Sequence, residues 1–177
     1  QLLALNKDCE VPIHIFRLTN VFGKWSKPNY NSVVATFCNN IIREIPINID
    51  DENNCIELIY IDDVIKKFIE LIFNPESETK YKVYKTISPS YNITVGKLAE
   101  KLYAFKEINI NNTVEIVGTG LLRALYSTYI SYLPQEKFSY PIISTKDQRR
   151  KFIEILKTQN FGQFSYFTAL PGVTRGG

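Results

Sequence analysis

The sequence predicts an α/β fold with a largely parallel sheet, followed by a short all-β segment. Up to residue 133, short apolar runs alternate with stretches of helical periodicity. Strands that alternate with helices of about 10–15 residues are typical of βα units. Beyond Pro134 the periodicity changes, and two strand-like segments follow each other without a helix between them.

The first strand–helix unit spans residues 13–45. Residues 13–18 are almost wholly apolar, which predicts a strand covered on both faces. Residues 33–45 follow as a helix whose apolar stripe consists of Val33, Val34, Phe37, Ile41 and Ile45. Pro46 ends this helix, and the alternation at residues 47–49 predicts a short strand.

Two further units follow. Residues 56–61 predict a buried strand, and Asp62-Asp63 mark the start of a helix that ends at Asn74-Pro75. The apolar face of that helix is assigned to Val64, Ile65, Phe68, Ile69 and Ile72. After a loop at 76–82, residues 83–88 predict a strand. Thr94 caps a third helix with Val95, Leu98, Leu102 and Phe105 facing inward.

The last elements are shorter. Residues 114–117 predict a strand, and Gly118-Thr119-Gly120 leads into a helix at 121–133. The segment 134–141 has a proline at each end and is interpreted as a linker. Residues 152–156 and 163–167 then predict two strands joined by a turn at 160–162.

Composition narrows the class of protein. The 177 residues carry a net charge of +3, with 45% hydrophobic and 22% charged residues, as in ordinary soluble proteins. Without a long basic run, no nucleic-acid partner is indicated, and no apolar run reaches the roughly 18 residues of a membrane span. The three cysteines form no CxxC pair and no secretory signal opens the sequence, so reduced thiols in a cytoplasmic protein are expected.

Hydrogen-bonding groups concentrate in FRLTNVFGKWSKPNYNS, residues 16–32, where the first predicted strand ends. In open α/β sheets, ligands bind at the carboxyl ends of strands. Asn20 offers amide donors and an acceptor, Gly23 permits a backbone conformation that other residues resist, and Asn31-Ser32 precede a helix N-terminus. Together they suit a phosphorylated ligand. The alternative is that Asn31 or Ser32 only caps the helix and Arg17 secures the loop.

Other polar residues have simpler explanations. Asp62 and Asp63 could act as a base or bind a metal, but no partner is visible in the sequence, so helix capping is favoured. His14, the single histidine, is expected to be packed within a strand, which excludes a histidine-based metal site in this chain. Arg123 could bind an anion or simply be solvated. The tyrosines at 126, 129 and 132 are expected in a core or interface.

Two motifs resemble a known superfamily. RLTNVFG at residues 17–23 and LIYIDDV at 58–64 are similar to the second half of extended short-chain dehydrogenases/reductases, which act on nucleotide-sugars. Longer stretches make the resemblance more specific: NVFGKWSKPNYNSVVATFCNNI, LYSTYISYLP, FSYP, FIEILKT and GQFSYFTALPGVTRGG. They are similar to a two-domain family of capsular-polysaccharide enzymes, in which a reductase domain precedes a cupin of jelly-roll fold.

The resemblance implies a domain organisation. Residues 1–134 would be the C-terminal, substrate-binding part of a Rossmann-type reductase domain. Residues 135–141 would be a linker, and 142–177 the truncated start of the cupin. An opening without Met and a close without a terminal element suggest an internal piece of a longer protein, which would be inactive and prone to aggregate alone.

The resemblance also implies an activity. The cupin would epimerise a UDP-4-keto-6-deoxy-HexNAc at C3 with a metal, expected to be zinc, and the reductase would then transfer hydride from NADPH to the C4 ketone. This chemistry lies on the route to UDP-N-acetyl-L-fucosamine in capsular polysaccharide or O-antigen synthesis. A homodimer is expected. The alternatives are a nucleotide-sugar 4,6-dehydratase or 4-epimerase, and a non-catalytic module that binds a UDP-sugar.

The resemblance also assigns site roles, which are carried over from the family to the matching positions of this sequence. Substrate-binding roles fall on Asn20, Asn31, Ser32, Val33, Ile47, Ile49 and Arg123, and the backbone at Leu18 and Val21 would lie near the nicotinamide. By the same resemblance, the catalytic Tyr-x-x-x-Lys and the glycine-rich dinucleotide loop would lie before residue 1, and the cupin's metal-binding histidines after residue 177. No catalytic or metal residue is therefore assigned in this chain. Two family positions differ: Arg150 stands where the cupin pattern has Gly, and Ile56 where many relatives have a substrate-binding Arg.

Overall fold

The computed structural model describes residues 13–74, 84–111, 113–114, 116–139, 141–142, 144–146, 150–158 and 162–172. Seven strands lie within this part of the chain: β1 Asn20–Phe22, β2 Cys55–Tyr60, β3 Tyr91–Thr94, β4 Thr113–Val114, β5 Ser144–Lys146, β6 Arg150–Thr158 and β7 Gly162–Ala169. Its α-helices are α1 Val33–Ile42, α2 Ile61–Phe73, α3 Val95–Asn111 and α4 Gly120–Ile130. The α/β prediction is confirmed.

The first sheet has the order β1-β2-β3. β1 runs parallel to β2, with Asn20 opposite Leu58 and Phe22 opposite Tyr60. β3 pairs antiparallel with β2 and was not predicted, because its four residues contain no apolar run of their own. The predicted strands at 13–18 and 83–88 are reduced, in the described residues, to one parallel bridge between Phe16 and Lys85.

The prediction that residues 13–18 are covered on both faces is wrong. Residues 13–16 are half-buried, while Arg17 and Leu18 are exposed. Helix α2 covers this segment through the ring of Phe68, whose centroid lies 5.2 Å from that of Phe16. The alternation at 47–49 also misled, because that segment forms no strand; Ile47 and Ile49 instead pack against the main core.

The predicted helices form, with shifted ends. Ser32 caps α1, and the helix stops at Ile42, three residues early, because Glu44 adopts a left-handed backbone with φ of 60°. α2 begins at Ile61 and carries Asp62 and Asp63 in its first turn, where the helix dipole favours carboxylates. Thr94 caps α3 as predicted, its Oγ1 accepting a hydrogen bond from the Lys97 amide at 3.3 Å.

The main core lies between the first sheet and helices α1, α3 and α4. Its fully buried side chains include Phe22, Ile41, Leu58, Tyr60, Leu98, Leu102 and Leu125. The stripes predicted for α1 and α3 are confirmed at Val34, Phe37, Ile41, Leu98, Leu102 and Phe105, whereas Ile45 is exposed. The face predicted for α2 is largely wrong: Val64 and Leu71 are buried, and Ile65, Phe68, Ile69 and Ile72 are exposed.

The C-terminal strands form a second sheet. β6 and β7 are an antiparallel hairpin, as predicted, although β6 extends beyond the predicted 152–156 on both sides. The other edge of β6 pairs with β5 and, near its end, with β4, where Thr113 lies opposite Lys157. Residues 116–117, predicted as strand, are irregular.

The segment predicted as a linker contains a short 3-10 helix, Gln135–Lys137. Lys137 Nζ donates to the carbonyl of Ile42 at 2.8 Å, at the C-terminus of α1. Within the described residues, no helix combines the length and the apolar character that crossing a membrane requires.

Candidate functional site

The centre of the candidate site is the edge where β1 and β2 end. The two strands are parallel, so the residues that follow them, Lys24 and Asp62, come together. Lys24 Nζ lies 2.9 Å from Asp62 Oδ2, with side chains 31% and 43% exposed. The sequence alone shows no partner for Asp62, because Lys24 lies 38 residues earlier. The available signal was that each residue shortly follows a strand end.

A second cation approaches the same place from α4. Lys24 Nζ and Arg123 Cζ each lie 5.8 Å from the centroid of the Tyr60 ring. The ring is buried, whereas Arg123 is exposed. Two cations from distant parts of the chain therefore share one aromatic ring at the carboxyl end of β2.

The protonation states keep Lys24 cationic and Tyr60 neutral. The hydrogen bond to Asp62 raises the pKa of Lys24 above its ordinary value, so the ammonium stays charged at neutral pH. Burial raises the pKa of the Tyr60 hydroxyl, and the Asp62 carboxylate raises it further. Tyr60 therefore stays neutral and adds no negative charge beside Lys24.

Asn20 stands at the start of β1 rather than beyond its tip. Its Nδ2 donates to the carbonyl of Glu57 at 3.0 Å, which ties β1 to β2, and the residue is exposed. The Asn20 amide therefore has one structural hydrogen bond and remains accessible from solvent.

For Asn31 and Ser32 the sequence left two roles open, binding a phosphorylated ligand and capping α1. Ser32 Oγ accepts a hydrogen bond from the Ala35 amide at 3.3 Å, so Ser32 does cap α1. Asn31 is exposed immediately before that cap. Ligand binding by either residue stays a prediction.

The loop between β1 and α1 is fastened at several points. The Trp25 amide donates to Ser131 Oγ at 3.4 Å, the Tyr132 hydroxyl donates to the Ser26 carbonyl, and the Asn29 amide donates to Thr36 Oγ1 at 2.9 Å. These contacts fix the loop that follows Lys24 against α1 and against the residues just after α4.

Gly23 is needed for space and not for a special backbone angle. An unusual backbone conformation was predicted for Gly23, but the residues with positive φ in this loop are Trp25 and Asn29, at 62° and 54°. A Cβ on Gly23 would instead collide with Ile61 Cγ2 and lie 3.0 Å from Ile61 Cβ. The close approach of β1 to the start of α2 therefore depends on Gly23.

The other residues carried over from the resemblance lie in apolar surroundings. Val33, Ile47 and Ile49 are half-buried against the main core, and Val21 packs in a smaller cluster with Ile59. Leu18 is 38% exposed. The structure thus places them on one α/β unit, while their contacts with a nucleotide or a nicotinamide stay predictions.

The histidine and the tyrosines that the sequence did not assign to the ligand site have structural partners. Lys85 Nζ lies 2.6 Å from His14 Nδ1, which must accept because an ammonium only donates. Tyr129 is buried, and Tyr126 packs edge-on against Phe105 at 5.1 Å, which confirms the core assignment.

Cys38 and Cys55 are free thiols. No group of three or more metal-ligating side chains occurs among the described residues.

Part of the chain matches a protein-family model, and nearly all of it matches a curated relative. Residues 1–86 match the NAD dependent epimerase/dehydratase family. Over 176 residues the chain is 52% identical to the UDP-2-acetamido-2,6-beta-L-arabino-hexul-4-ose reductase of Pseudomonas aeruginosa, covering 99% of this chain and 46% of that protein.

Solved structures show the same relationship. The capsular polysaccharide assembling protein CapF from Staphylococcus aureus superposes with a TM-score of 0.89 at 36% identity, over 99% of this chain and 47% of CapF. The UDP-glucose 4-epimerase of Thermus thermophilus, solved with NAD, shares the fold with a TM-score of 0.56 at 12% identity, over 74% of this chain and 50% of that one. This chain therefore spans about half the length of the relatives it matches.

Proposed function

We propose that this chain supplies the substrate-binding part of an NADPH-dependent reductase that acts on the C4 ketone of a UDP-4-keto-6-deoxy-HexNAc. The observation that carries the proposal is the pair of cations, Lys24 and Arg123, at the carboxyl edge of β1 and β2. It supports a diphosphate ligand, and a relative at 52% identity bears the name of a UDP-sugar reductase.

The described residues suit a nucleotide-sugar in three ways. Asn20 and Asn31 expose amides that can donate to phosphate or sugar oxygens. Arg123 offers a planar guanidinium for bidentate binding of a phosphate. Val33, Ile47 and Ile49 offer apolar surface for the uracil, beside the cap that Ser32 provides to α1.

The cofactor would lie at the start of the same segment. NADPH supplies the hydride that reduces a ketone. Leu18, partly exposed, and the backbone around Val21 provide an apolar surface that suits a nicotinamide ring. None of the described residues is proposed as a zinc ligand.

The C-terminal sheet is proposed as the beginning of a cupin that epimerises C3 before reduction. Its support is the β6–β7 hairpin, whose strand β7 exposes Phe164 and Tyr166 on one face and Phe167 on the other. Further strands of a cupin would cover these apolar side chains. We place the protein in the cytoplasm as a homodimer within the route to UDP-N-acetyl-L-fucosamine. The free thiols of Cys38 and Cys55 suit a reducing compartment.

Turnover tests the proposal directly. The complete gene product, mixed with NADPH and a UDP-4-keto-6-deoxy-HexNAc, is expected to oxidise one NADPH for each ketone reduced, followed by absorbance and by mass of the sugar product. UDP-GlcNAc, which lacks the ketone, is the matched control and should leave NADPH unchanged. If the keto sugar also leaves NADPH unchanged, the reductase assignment is wrong.

A further inference from the structure

We propose that Lys24 binds a phosphate group of the nucleotide-sugar and that Asp62 holds the Lys24 ammonium in position for it. The inference rests on the proposed function of this site and adds a residue that neither the sequence motifs nor the resemblance assigned.

The position of Lys24 is the first argument. Lys24 and Asp62 follow the ends of two neighbouring parallel strands, the place where open α/β sheets bind ligands. Lys24 also lies in the loop between β1 and α1, which contains Asn31, an exposed amide of the site.

The donor geometry is the second argument. An ammonium carries three N–H donors, and Asp62 Oδ2 accepts one of them at 2.9 Å. The Lys24 side chain is 31% exposed, so a ligand can reach the nitrogen from solvent. A lysine already fixed by a carboxylate loses less conformational entropy when it binds a phosphate, because its long side chain is ordered beforehand.

Charge matching is the third argument. Lys24 and Arg123 lie at equal distances, 5.8 Å, from the centroid of the Tyr60 ring. A diphosphate presents two anionic groups, so one cation can bind each of them. Asp62 and Asp63 also stand at the start of α2, so Lys24 must meet the phosphate by direct contact rather than through an overall positive field.

Lys27 provides a matched control on the same loop. Its Nζ lies 5.7 Å from the centroid of the Tyr30 ring, so Lys27, like Lys24, rests on an aromatic side chain. Both Lys27 and Tyr30 are exposed, and Tyr30 is 81% exposed. A half-exposed pair such as Lys24–Asp62 contributes only about 0–1 kcal/mol to folding, so the Lys24 and Lys27 variants should both fold.

The experiment measures Kd values for UDP and for uridine by titration calorimetry on the complete gene product. Lys24→Gln should raise the Kd for UDP about tenfold or more, since a charge-assisted hydrogen bond is lost, and leave the Kd for uridine unchanged. Lys27→Gln should change neither value by more than about twofold. Asp62→Asn should weaken UDP binding less than Lys24→Gln does, because the ammonium remains but is no longer held.

The outcomes separate this inference from the proposed function. If the unaltered protein binds UDP and Lys24→Gln binds it equally well, Lys24 is not a phosphate ligand, although the site assignment stands. If Lys24→Gln weakens uridine and UDP equally, its role is structural and the inference is wrong. Tighter UDP binding by Asp62→Asn would show that Asp62 competes with the ligand and would contradict the positioning role. If the unaltered protein binds neither UDP nor uridine, the proposed function itself is wrong.

Discussion

Gly23→Ala is expected to lower the free energy of unfolding by about 1–3 kcal/mol, the usual cost of overpacking. The added methyl group would occupy the space of Ile61 Cγ2. Ile61 cannot easily move aside, because a β-branched side chain in a helix has one strongly preferred rotamer and Ile61 packs against both apolar clusters. Either β1 or the start of α2 must shift, and urea unfolding measures the cost.

Two controls identify the cause. In the double variant Gly23→Ala/Ile61→Ala the colliding Cγ2 is gone, so the loss should be smaller than the sum of the two single losses. Gly118→Ala adds the same methyl group where nothing lies within 4 Å, and should change stability by less than about 0.5 kcal/mol. If Gly23→Ala lowers the free energy of unfolding no more than Gly118→Ala does, the inferred close contact between β1 and α2 is contradicted.

Leu102→Ala is expected to have the largest effect on stability, a loss of about 2–5 kcal/mol in urea unfolding. Leu102 is fully buried in α3 within the main core, so truncation leaves a cavity that its packed neighbours cannot fill. Tyr103→Ala is the neighbouring control, because Tyr103 is 44% exposed. The free energy of unfolding should fall much less in Tyr103→Ala than in Leu102→Ala. Equal losses for the two variants would contradict the packing of α3.

The elements that sequence analysis predicted correctly are those with a strong periodic signal. Helices α1 and α3 have apolar stripes that match the core, and the β6–β7 hairpin has two strand-like segments joined at Gly162. Strands β3 and β5 have three or four residues each and depend on hydrogen bonds to β2 and β6, which no local pattern reports. The alternating pattern at 47–49 predicted a strand that does not form. Ile47 and Ile49 are apolar because they pack against the main core, and the segment pairs with no strand of the described structure.

Helix α2 shows a different limit of sequence reasoning. Its isoleucines at 65, 69 and 72 recur at helical spacing, yet Val64 and Leu71 are the side chains buried in the described structure. Periodicity identifies the apolar residues of a helix but not which of them the described sheet covers.

The candidate site was half visible in the sequence. Asn20 and Asn31 stood out because amides collect after an apolar run, and the structure leaves both exposed. The pairing of Lys24 with Asp62, and the meeting of Lys24 and Arg123 at the Tyr60 ring, depend on the parallel register of β1 with β2 and on the position of α4. Such contacts over long sequence separations follow from the fold alone.

The central claim is that two exposed side-chain amides, Asn20 at the start of β1 and Asn31 just before α1, hold a UDP-sugar. The most direct test follows the side-chain amide NMR signals of the complete gene product during titration with UDP. We expect the signals of Asn20 and Asn31 to shift with a common saturation curve. The signal of Asn74 should stay in place, because it lies at the opposite end of α2, about 20 Å from the first turn. Saturating UDP that leaves Asn20 and Asn31 unmoved would contradict the claim.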